Sequence, residues 1–209
     1  MNMQQGYVLI VEDVPDILKL LEATLTFKGY QVTTAVNGQE ALDAIQRERP
    51  ALVITDIMMP RLDGFGLVHR LRINPETRDI PVIFLTATYV ALEDKAFALG
   101  IGATRFIEKP VNFERFLETI DELMTKDVAA TPTTLSEAEF YEGYRQRLEK
   151  KLQQKITQIT RDERLLETIP EEERATFRAS LKMAMNERDE IQRLLDELKI
   201  RMESIDKVD

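Results

Sequence analysis

The sequence predicts an α/β protein with a doubly wound, five-stranded parallel sheet, followed by a long two-helix module. Short apolar runs rich in Val and Ile alternate with segments of helical spacing over residues 7–125. The runs at 7–11, 51–55 and 81–85 are apolar at nearly every position, which is typical of parallel strands covered by helices on both faces. Five such β-α units in succession indicate a doubly wound domain.

The strand positions follow from the apolar runs, and the helix positions from the segments between them. Strands are predicted at 7–11, 31–36, 51–55, 81–85 and 104–108. Helices are predicted at about 15–28, 38–48, 64–72, 91–99 and 112–125. In sheets of this kind, ligands bind beyond the carboxyl ends of the strands. Candidate functional residues are therefore expected where the strands end.

Three segments divide the chain. Residues 1–126 form the predicted α/β domain, and 127–135 the predicted linker, because this segment lacks periodicity and contains Pro132. Residues 136–209 form the predicted helical module. Pro170 divides this module into two helices, since proline is tolerated in the first turn of a helix but not in its interior.

Each predicted helix of the module has one apolar stripe. The stripe of the second helix follows 4,3 spacing, with Arg188 as its exception: Phe177, Leu181, Ala184, Arg188, Ile191, Leu195, Leu198, Met202 and Ile205. The stripe of the first helix is Tyr141, Tyr144, Leu148, Leu152, Ile156, Ile159 and Leu166. A 3.5-residue repeat is the pattern of supercoiled helices. The pattern predicts a coiled coil or a hairpin, and it leaves open whether the helices pair within one chain or between two.

Composition excludes several classes of function. The net charge of -9 gives no electrostatic reason to expect a nucleic-acid partner. The absence of cysteine excludes disulfide and thiol chemistry. No apolar run reaches the length of a membrane span, and the N-terminus lacks the pattern of a signal peptide. We therefore expect a cytoplasmic protein with neither a nucleic acid nor a membrane as its partner.

Acidic side chains and one lysine follow the predicted strands. Glu12 and Asp13 come directly after the first strand, and Asp56 after the third. Lys109, which is followed by a proline, comes after the fifth. Each residue alone has an ordinary explanation, such as a turn or a helix start, and the Asp63-Gly64 pair is interpreted as a helix entry only. Together, three acids and a lysine at one edge of a sheet predict a site for a divalent metal and a phosphoryl group.

These motifs resemble the receiver domain of bacterial response regulators of two-component systems. The resemblance covers about 60% of the chain, and its motifs are Val11-Glu12-Asp13, Thr55–Gly64, Phe84-Leu85-Thr86-Ala87 and Phe106-Ile107-Glu108-Lys109-Pro110. It implies that Asp56 is the phosphoacceptor and that Lys109 neutralises a phosphoryl oxygen. It also implies that Mg²⁺ is held by Glu12, Asp13, Asp56 and the backbone carbonyl of Met58.

The same resemblance implies a switch and a partner. Thr86 would move towards the phosphoryl group, and Phe106 would rotate inward behind it. A sensor histidine kinase would donate the phosphoryl group, so the chain would catalyse only its own phosphorylation and dephosphorylation. We expect the signal to pass from these residues into the helical module, which would form a homodimer or bind a helical protein partner.

Two other functions stay open at this point. One is a scaffold or dimerising protein that keeps the receiver fold with little dependence on phosphorylation. The other is a DNA-binding transcriptional regulator, which the acidic charge disfavours. The helical module contains no histidine, because the one histidine of the chain is His69, so it is not predicted to be a phosphotransfer domain.

Overall fold

The fold is described from a computed structural model that covers residues 6–86, 92–125 and 135–205. The chain divides into two compact units, Met1–Ser136 and Glu137–Asp209. The predicted linker, 127–135, lies outside the described residues except for Leu135. The first unit carries the motifs that resemble a receiver domain and is called the receiver unit below, and the second is called the hairpin unit.

The receiver unit is built on one parallel sheet of five strands in the order β2-β1-β3-β4-β5. The strands are β1 (Val8–Val11), β2 (Val32–Ala35), β3 (Leu52–Thr55), β4 (Val82–Thr86) and β5 (Arg105–Glu108). Every residue of β1, β3 and β4 is buried, whereas β2 and β5 form the two edges and are partly exposed. The predicted doubly wound sheet is confirmed, because strands whose two faces are both covered need apolar side chains on both.

Five helices connect and flank these strands. They are α1 (Pro15–Phe27), α2 (Gly38–Arg47), α3 (Gly64–Ile73), α4 (Leu92–Gly100) and α5 (Phe113–Thr125). Local side chains fix two of their starts: Asn37 accepts from the amide of Glu40 at 3.0 Å, and Asp63 accepts from the amide of Gly66 at 2.8 Å. Such caps satisfy amide groups that have no partner within the helix.

A continuous apolar core joins one face of the sheet to α1 and α5. Its fully or nearly fully buried members include Val8, Ile10, Leu21, Leu25, Leu52, Ile54, Ile83, Leu85, Phe116 and Ile120. Burying these side chains supplies the main favourable free energy of folding, at roughly 25 cal/mol per Å² of apolar surface. The core therefore holds the ends of β1, β3 and β4 at fixed positions.

The hairpin unit contains two long helices, α6 (Glu137–Thr168) and α7 (Glu171–Ile205), separated by two residues. The two helices pack against each other, so they pair within one chain. Lys155 on α6 and Glu187 on α7 form an ion pair across this contact at 2.5 Å. The buried apolar side chains include Leu148 and Ile159 on α6 and Ala184, Ile191, Leu195 and Leu198 on α7.

The predicted stripe of α6 is wrong at one position. Ile156 is 40% exposed, whereas the neighbouring Lys155 side chain is only 22% exposed and Asp162 is buried. Lys155, Ile159 and Asp162 therefore lie on the packed face of α6, and Ile156 lies outside it. The apolar pattern misses this phase because polar side chains occupy two of the three positions.

Arg188 lies on the predicted seam of α7 and its side chain is about one-third exposed. Its guanidinium donates to the carboxylate of Asp189 at 2.6 Å. The side chain thus reaches an acceptor at the edge of the seam, as a long cationic residue can when its stem is partly buried.

No helix in the described ranges has the length and apolar character required to cross a membrane.

Candidate functional site

The candidate site lies at the carboxyl edge of the sheet, where the ends of β1, β3, β4 and β5 meet. Glu12 follows β1, Asp56 follows β3, Thr86 ends β4 and Lys109 follows β5. Parallel strands all end at the same edge, so residues far apart in sequence become neighbours here. Glu12 and Asp56 are 2% and 8% exposed, which places two carboxylates in a largely dry environment.

Asp56 is held by both its backbone and its side chain. Its amide donates to the carbonyl of Val11 at 2.9 Å, which continues the pairing of β3 with β1. One carboxylate oxygen accepts from the amide of Met58 at 2.7 Å, and the other accepts from the ammonium of Lys109 at 3.0 Å. Charge-assisted hydrogen bonds of this kind fix the orientation of the carboxylate.

Lys109 joins the two acids. Its Nζ also donates to Glu12 Oε2 at 2.6 Å, so one ammonium bridges the carboxylates of Glu12 and Asp56. Its amide donates to the carbonyl of Thr86 at 2.7 Å, which ties the end of β5 to the end of β4. The Lys109–Pro110 peptide bond is cis. Hydrogen bonds thus hold both the backbone amide and the side-chain ammonium of Lys109.

Burial and charge act in opposite directions within this cluster. Burial raises the pKa of Glu12, and the negative charge of Asp56 adds to that effect, while the hydrogen bond from Lys109 opposes it. Burial alone would lower the pKa of Lys109, but the hydrogen bonds and charges of Glu12 and Asp56 outweigh it and leave the pKa raised. Two carboxylates and one ammonium leave one net negative charge, which favours the arrival of another cation.

The predicted metal ligands are only partly assembled. Asp13 follows Glu12 at the same edge and is half-buried, and Met58 follows Asp56 with 42% exposure. Within the ranges that the structure describes, no three acidic, histidine or cysteine side chains already form a group that could hold a metal ion. Mg²⁺ needs fewer protein ligands than that, because it binds through one or two carboxylates and keeps several waters. The oxygen donors at this edge therefore match the chemistry of Mg²⁺.

The predicted switch residues lie on neighbouring strands, β4 and β5, and the register pairs Thr86 with Glu108. Thr86 is buried at the end of β4, and Phe106 is half-buried on β5. The strand register places Phe84 opposite Phe106, and their ring centroids are 6.4 Å apart. Phe106 thus contacts the interior through Phe84 while part of its ring reaches the surface.

Gly64 is a site residue that the sequence interpretation missed. A methyl group on Gly64 would lie 2.2 Å from the carbonyl oxygen of Asp56, far inside van der Waals contact. The amide of Gly64 donates to the carbonyl of Ile57 at 2.9 Å, so the chain turns back onto the end of β3. The Asp63-Gly64 pair is therefore more than a helix entry. The signal in the sequence was a glycine eight residues after the acid, at the start of α3.

Comparisons with known proteins agree with this geometry. Residues 8–121 match the family model described as "Response regulator receiver domain". The "Probable transcriptional regulator ycf27" of Porphyra purpurea is 43% identical over 110 residues, which are 53% of this chain and 44% of that protein. This chain therefore spans less than half the length of that relative.

Two solved structures share the fold of the receiver unit. The signal receiver domain of a signal transduction histidine kinase from Syntrophus aciditrophicus is 37% identical, with a TM-score of 0.54, and the match covers 57% of this chain and 90% of that one. The chemotaxis protein CheY4 of Vibrio cholerae is 34% identical, with a TM-score of 0.53, and the match covers 56% and 98%.

The parallel sheet and its acidic edge define a receiver domain. Because the family model matches more than half of the chain, the protein belongs to the response regulator receiver domain family. The hairpin unit lies beyond the matched residues 8–121.

Proposed function

We propose that the protein is a response regulator whose Asp56 accepts a phosphoryl group from a sensor histidine kinase. One observation carries the proposal: a buried carboxylate at the carboxyl edge of the sheet is held by an amide on one oxygen and by an ammonium on the other. Receiver domains in general interact with sensor histidine kinases. The kinase is thus the partner class that this site would serve.

The proposed reaction is a phosphoryl transfer between two nucleophiles. A carboxylate oxygen of Asp56 forms a bond to phosphorus while the bond from phosphorus to the imidazole nitrogen of the donor breaks, and the imidazole keeps the electron pair and takes a proton from solvent. The Lys109 ammonium, already 3.0 Å from Asp56, would then neutralise a phosphoryl oxygen. Binding at a fixed edge orients the carboxylate for in-line attack.

A magnesium ion would be held by Glu12, Asp13, Asp56 and the carbonyl of Met58. Receiver domains in general bind Mg²⁺ at their acidic pocket. The ion would supply positive charge for the incoming phosphoryl oxygens. Asp13 and Asp56 would bind directly and Glu12 through a water molecule. Glu12 would also hold the ammonium of Lys109, which it contacts at 2.6 Å.

The response would pass through Thr86 and Phe106. The hydroxyl of Thr86 would move to hydrogen-bond the new phosphoryl oxygen, and the ring of Phe106 would turn inward into the space released. The half-buried position of Phe106, next to the buried ring of Phe84, supports two alternative packings of that ring. A small change at a packed element of this kind can act as a two-state switch.

The test is phosphorylation of the whole chain by acetyl phosphate and Mg²⁺. We expect Asp56→Asn to abolish labelling, because the amide is a far weaker nucleophile than the carboxylate. Asp43→Asn makes the same chemical change at an exposed position on α2 and is expected to leave labelling unchanged. Undiminished labelling of Asp56→Asn would overturn the assignment.

The hairpin unit is proposed to act as the output module, either as a homodimer or as a surface for a helical protein partner. Several stripe residues, including Leu152, Phe177 and Leu181, stay partly exposed after α6 and α7 have packed together. Two hairpins could cover these side chains by forming a four-helix bundle. We expect the solution mass to change when beryllofluoride, a phosphoryl mimic, is added with Mg²⁺. An unchanged mass in every condition would favour the scaffold function.

A DNA-binding regulator is the second candidate, because one relative bears the name of a transcriptional regulator. That similarity extends over less than half of the relative, and the chain carries a net charge of -9, which opposes binding to phosphates. A gel shift with genomic DNA fragments at moderate salt is expected to give no complex. A complex that weakens with salt would restore this candidate.

A further inference from the structure

The end of α4 has a feature that the proposed function leaves unexplained. Gly100 is the last residue of α4, and the side chain of Leu135 lies against it. A methyl group on Gly100 would be 3.4 to 3.7 Å from the side-chain carbons of Leu135, which is ordinary contact distance. Leu135 is half-buried, and only Ser136 separates it from the first residue of α6.

The end of α4 is held by several hydrogen bonds. Gly102, two residues after the end of α4, adopts a left-handed conformation with φ of 97°, and the amide of Ala103 donates back to the carbonyl of Ala98 at 3.0 Å. This is the glycine-terminated helix end known as a Schellman motif. Arg72 on α3 adds two hydrogen bonds to the carbonyl of Gly102, at 2.8 and 3.0 Å. Hydrogen bonds therefore tie the surface under Leu135 both to α4 and to α3.

A row of four phenylalanine rings joins this surface to the proposed switch. The aromatic row consists of Phe106, Phe84, Phe65 and Phe97, and Phe97 lies three residues before Gly100 on α4. Successive ring centroids in the row are 6.4, 5.4 and 5.1 Å apart. These separations lie within the range of direct aromatic contact. Phe65, Phe84 and Phe97 are buried, so a rotation of Phe106 would act first on the packed ring of Phe84, which is joined to α4 through Phe65 and Phe97.

We propose that the end of α4 is a docking surface for Leu135, and that the state of the receiver unit reaches α6 through this contact. The occupant of this surface is a segment of the same chain. Leu135 lies two residues before the start of α6, so the contact is adjacent in sequence to that helix. The second half of this proposal depends on the proposed phosphorylation of Asp56, whereas the docking itself does not.

Docking is tested by hydrogen exchange in the first turns of α6, using the whole chain. Leu135→Ala is expected to speed exchange there about tenfold, because local opening becomes easier when an anchoring contact is lost. Leu20→Ala, at an exposed leucine of α1, is the matched control and is expected to have no effect. Equal exchange in the chain with Leu135 and in Leu135→Ala would overturn the docking.

Two substitutions at Gly100 supply an independent check. Gly100→Ala adds a methyl that fits at contact distance and is expected to leave exchange unchanged. Gly100→Phe places a ring where Leu135 sits and is expected to match the effect of Leu135→Ala. The double variant with Leu135→Ala is then expected to be no worse than either single variant. Additive effects would mean that the two residues do not share a contact.

Transmission is tested by adding beryllofluoride and Mg²⁺ to the same variants. The thermal stability of the receiver unit is expected to rise in all of them. The rate of hydrogen exchange in the first turns of α6 is expected to change on this addition in Gly100→Ala, and to stay the same in Leu135→Ala. An equal change at α6 in Leu135→Ala would overturn the relay. If the receiver unit does not respond to beryllofluoride, that result counts against the proposed function. The docking of Leu135 is decided separately, by the exchange experiment without beryllofluoride.

Discussion

The receiver unit and the hairpin unit differ in how strongly they depend on individual residues. In the receiver unit, Gly64 approaches the carbonyl of Asp56 too closely for any side chain, and Lys109 bridges two buried carboxylates. In the hairpin unit, the packed face of α6 accepts Lys155 and Asp162 beside its apolar side chains. The site depends on particular atoms at defined distances. The contact between two long helices depends instead on the periodic spacing of its residues and on enough buried apolar surface.

The largest expected effect is at Gly64. Gly64→Ala would place its methyl 2.2 Å from the Asp56 carbonyl and 2.9 Å from the ring of Phe84, so the start of α3 must shift. We expect the free energy of unfolding to fall by about 3 kcal/mol, the upper end of the usual cost of an overpacked site. Urea unfolding of the whole chain measures it.

Gly100→Ala is the control for Gly64→Ala. The methyl group that it adds meets only ordinary contacts. The free energy of unfolding of this variant is expected to stay within about 0.5 kcal/mol of that of the original chain. Equal losses for the two variants would mean that the close approach at Gly64 does not limit the fold.

In the hairpin unit, the corresponding comparison is between Leu148 and Ile156. Leu148 is 1% exposed and Ile156 is 40% exposed on the same helix. Leu148→Ala is expected to lower the free energy of unfolding of the hairpin unit by about 2.5 kcal/mol, and Ile156→Ala by less than about 1 kcal/mol. Thermal unfolding followed by helical circular dichroism measures both. A larger loss for Ile156→Ala than for Leu148→Ala would mean that Ile156 lies on the packed face of α6, as the apolar stripe predicted.

The third effect concerns Lys109. Lys109→Met leaves Glu12 and Asp56 near each other without their shared cation, and we expect a loss of about 2 kcal/mol in the free energy of unfolding at neutral pH. The value is below that of a fully buried pair because the lysine side chain is 18% exposed.

The loss in Lys109→Met is expected to depend on pH. The pKa of Glu12 is raised in the folded chain, so its ionised form costs stability at neutral pH, and that cost decreases as the pH falls through the raised pKa. The raised pKa of Lys109 means that its own contribution is complete at neutral pH and is lost only at alkaline pH. The difference between the two chains should therefore narrow from neutral pH to about pH 5. If the difference in the free energy of unfolding stays constant with pH, Lys109 does not stabilise the ionised carboxylate of Glu12.

The sequence allowed the receiver fold to be predicted almost to the residue. The observed strands and helices of this unit begin and end within about two residues of the predicted ones, because fully covered strands require continuous apolar runs and the intervening helices keep a clear period. The resemblance to receiver domains added roles for residues whose types alone do not define a reaction.

Other features could not be predicted from the pattern. The tight approach of Gly64 depends on how the loop after β3 folds back, which no local spacing encodes. The phase of α6 was mispredicted at Ile156, because Lys155 and Asp162 can occupy a seam when their stems pack and their charged ends find partners. The contact of Leu135 with Gly100 joins positions 35 residues apart and required the three-dimensional structure.

The most direct test of the central claim is to locate the phosphoryl group after reaction of the whole chain with acetyl phosphate and Mg²⁺. Trypsin releases residues 48–61 as one peptide, whose only aspartate is Asp56, and separates it from the peptide that contains Glu12 and Asp13. The account predicts that the added phosphoryl mass is found on the 48–61 peptide, at Asp56. A phosphoryl group on the peptide of Glu12 and Asp13, or on the hairpin unit, would contradict it.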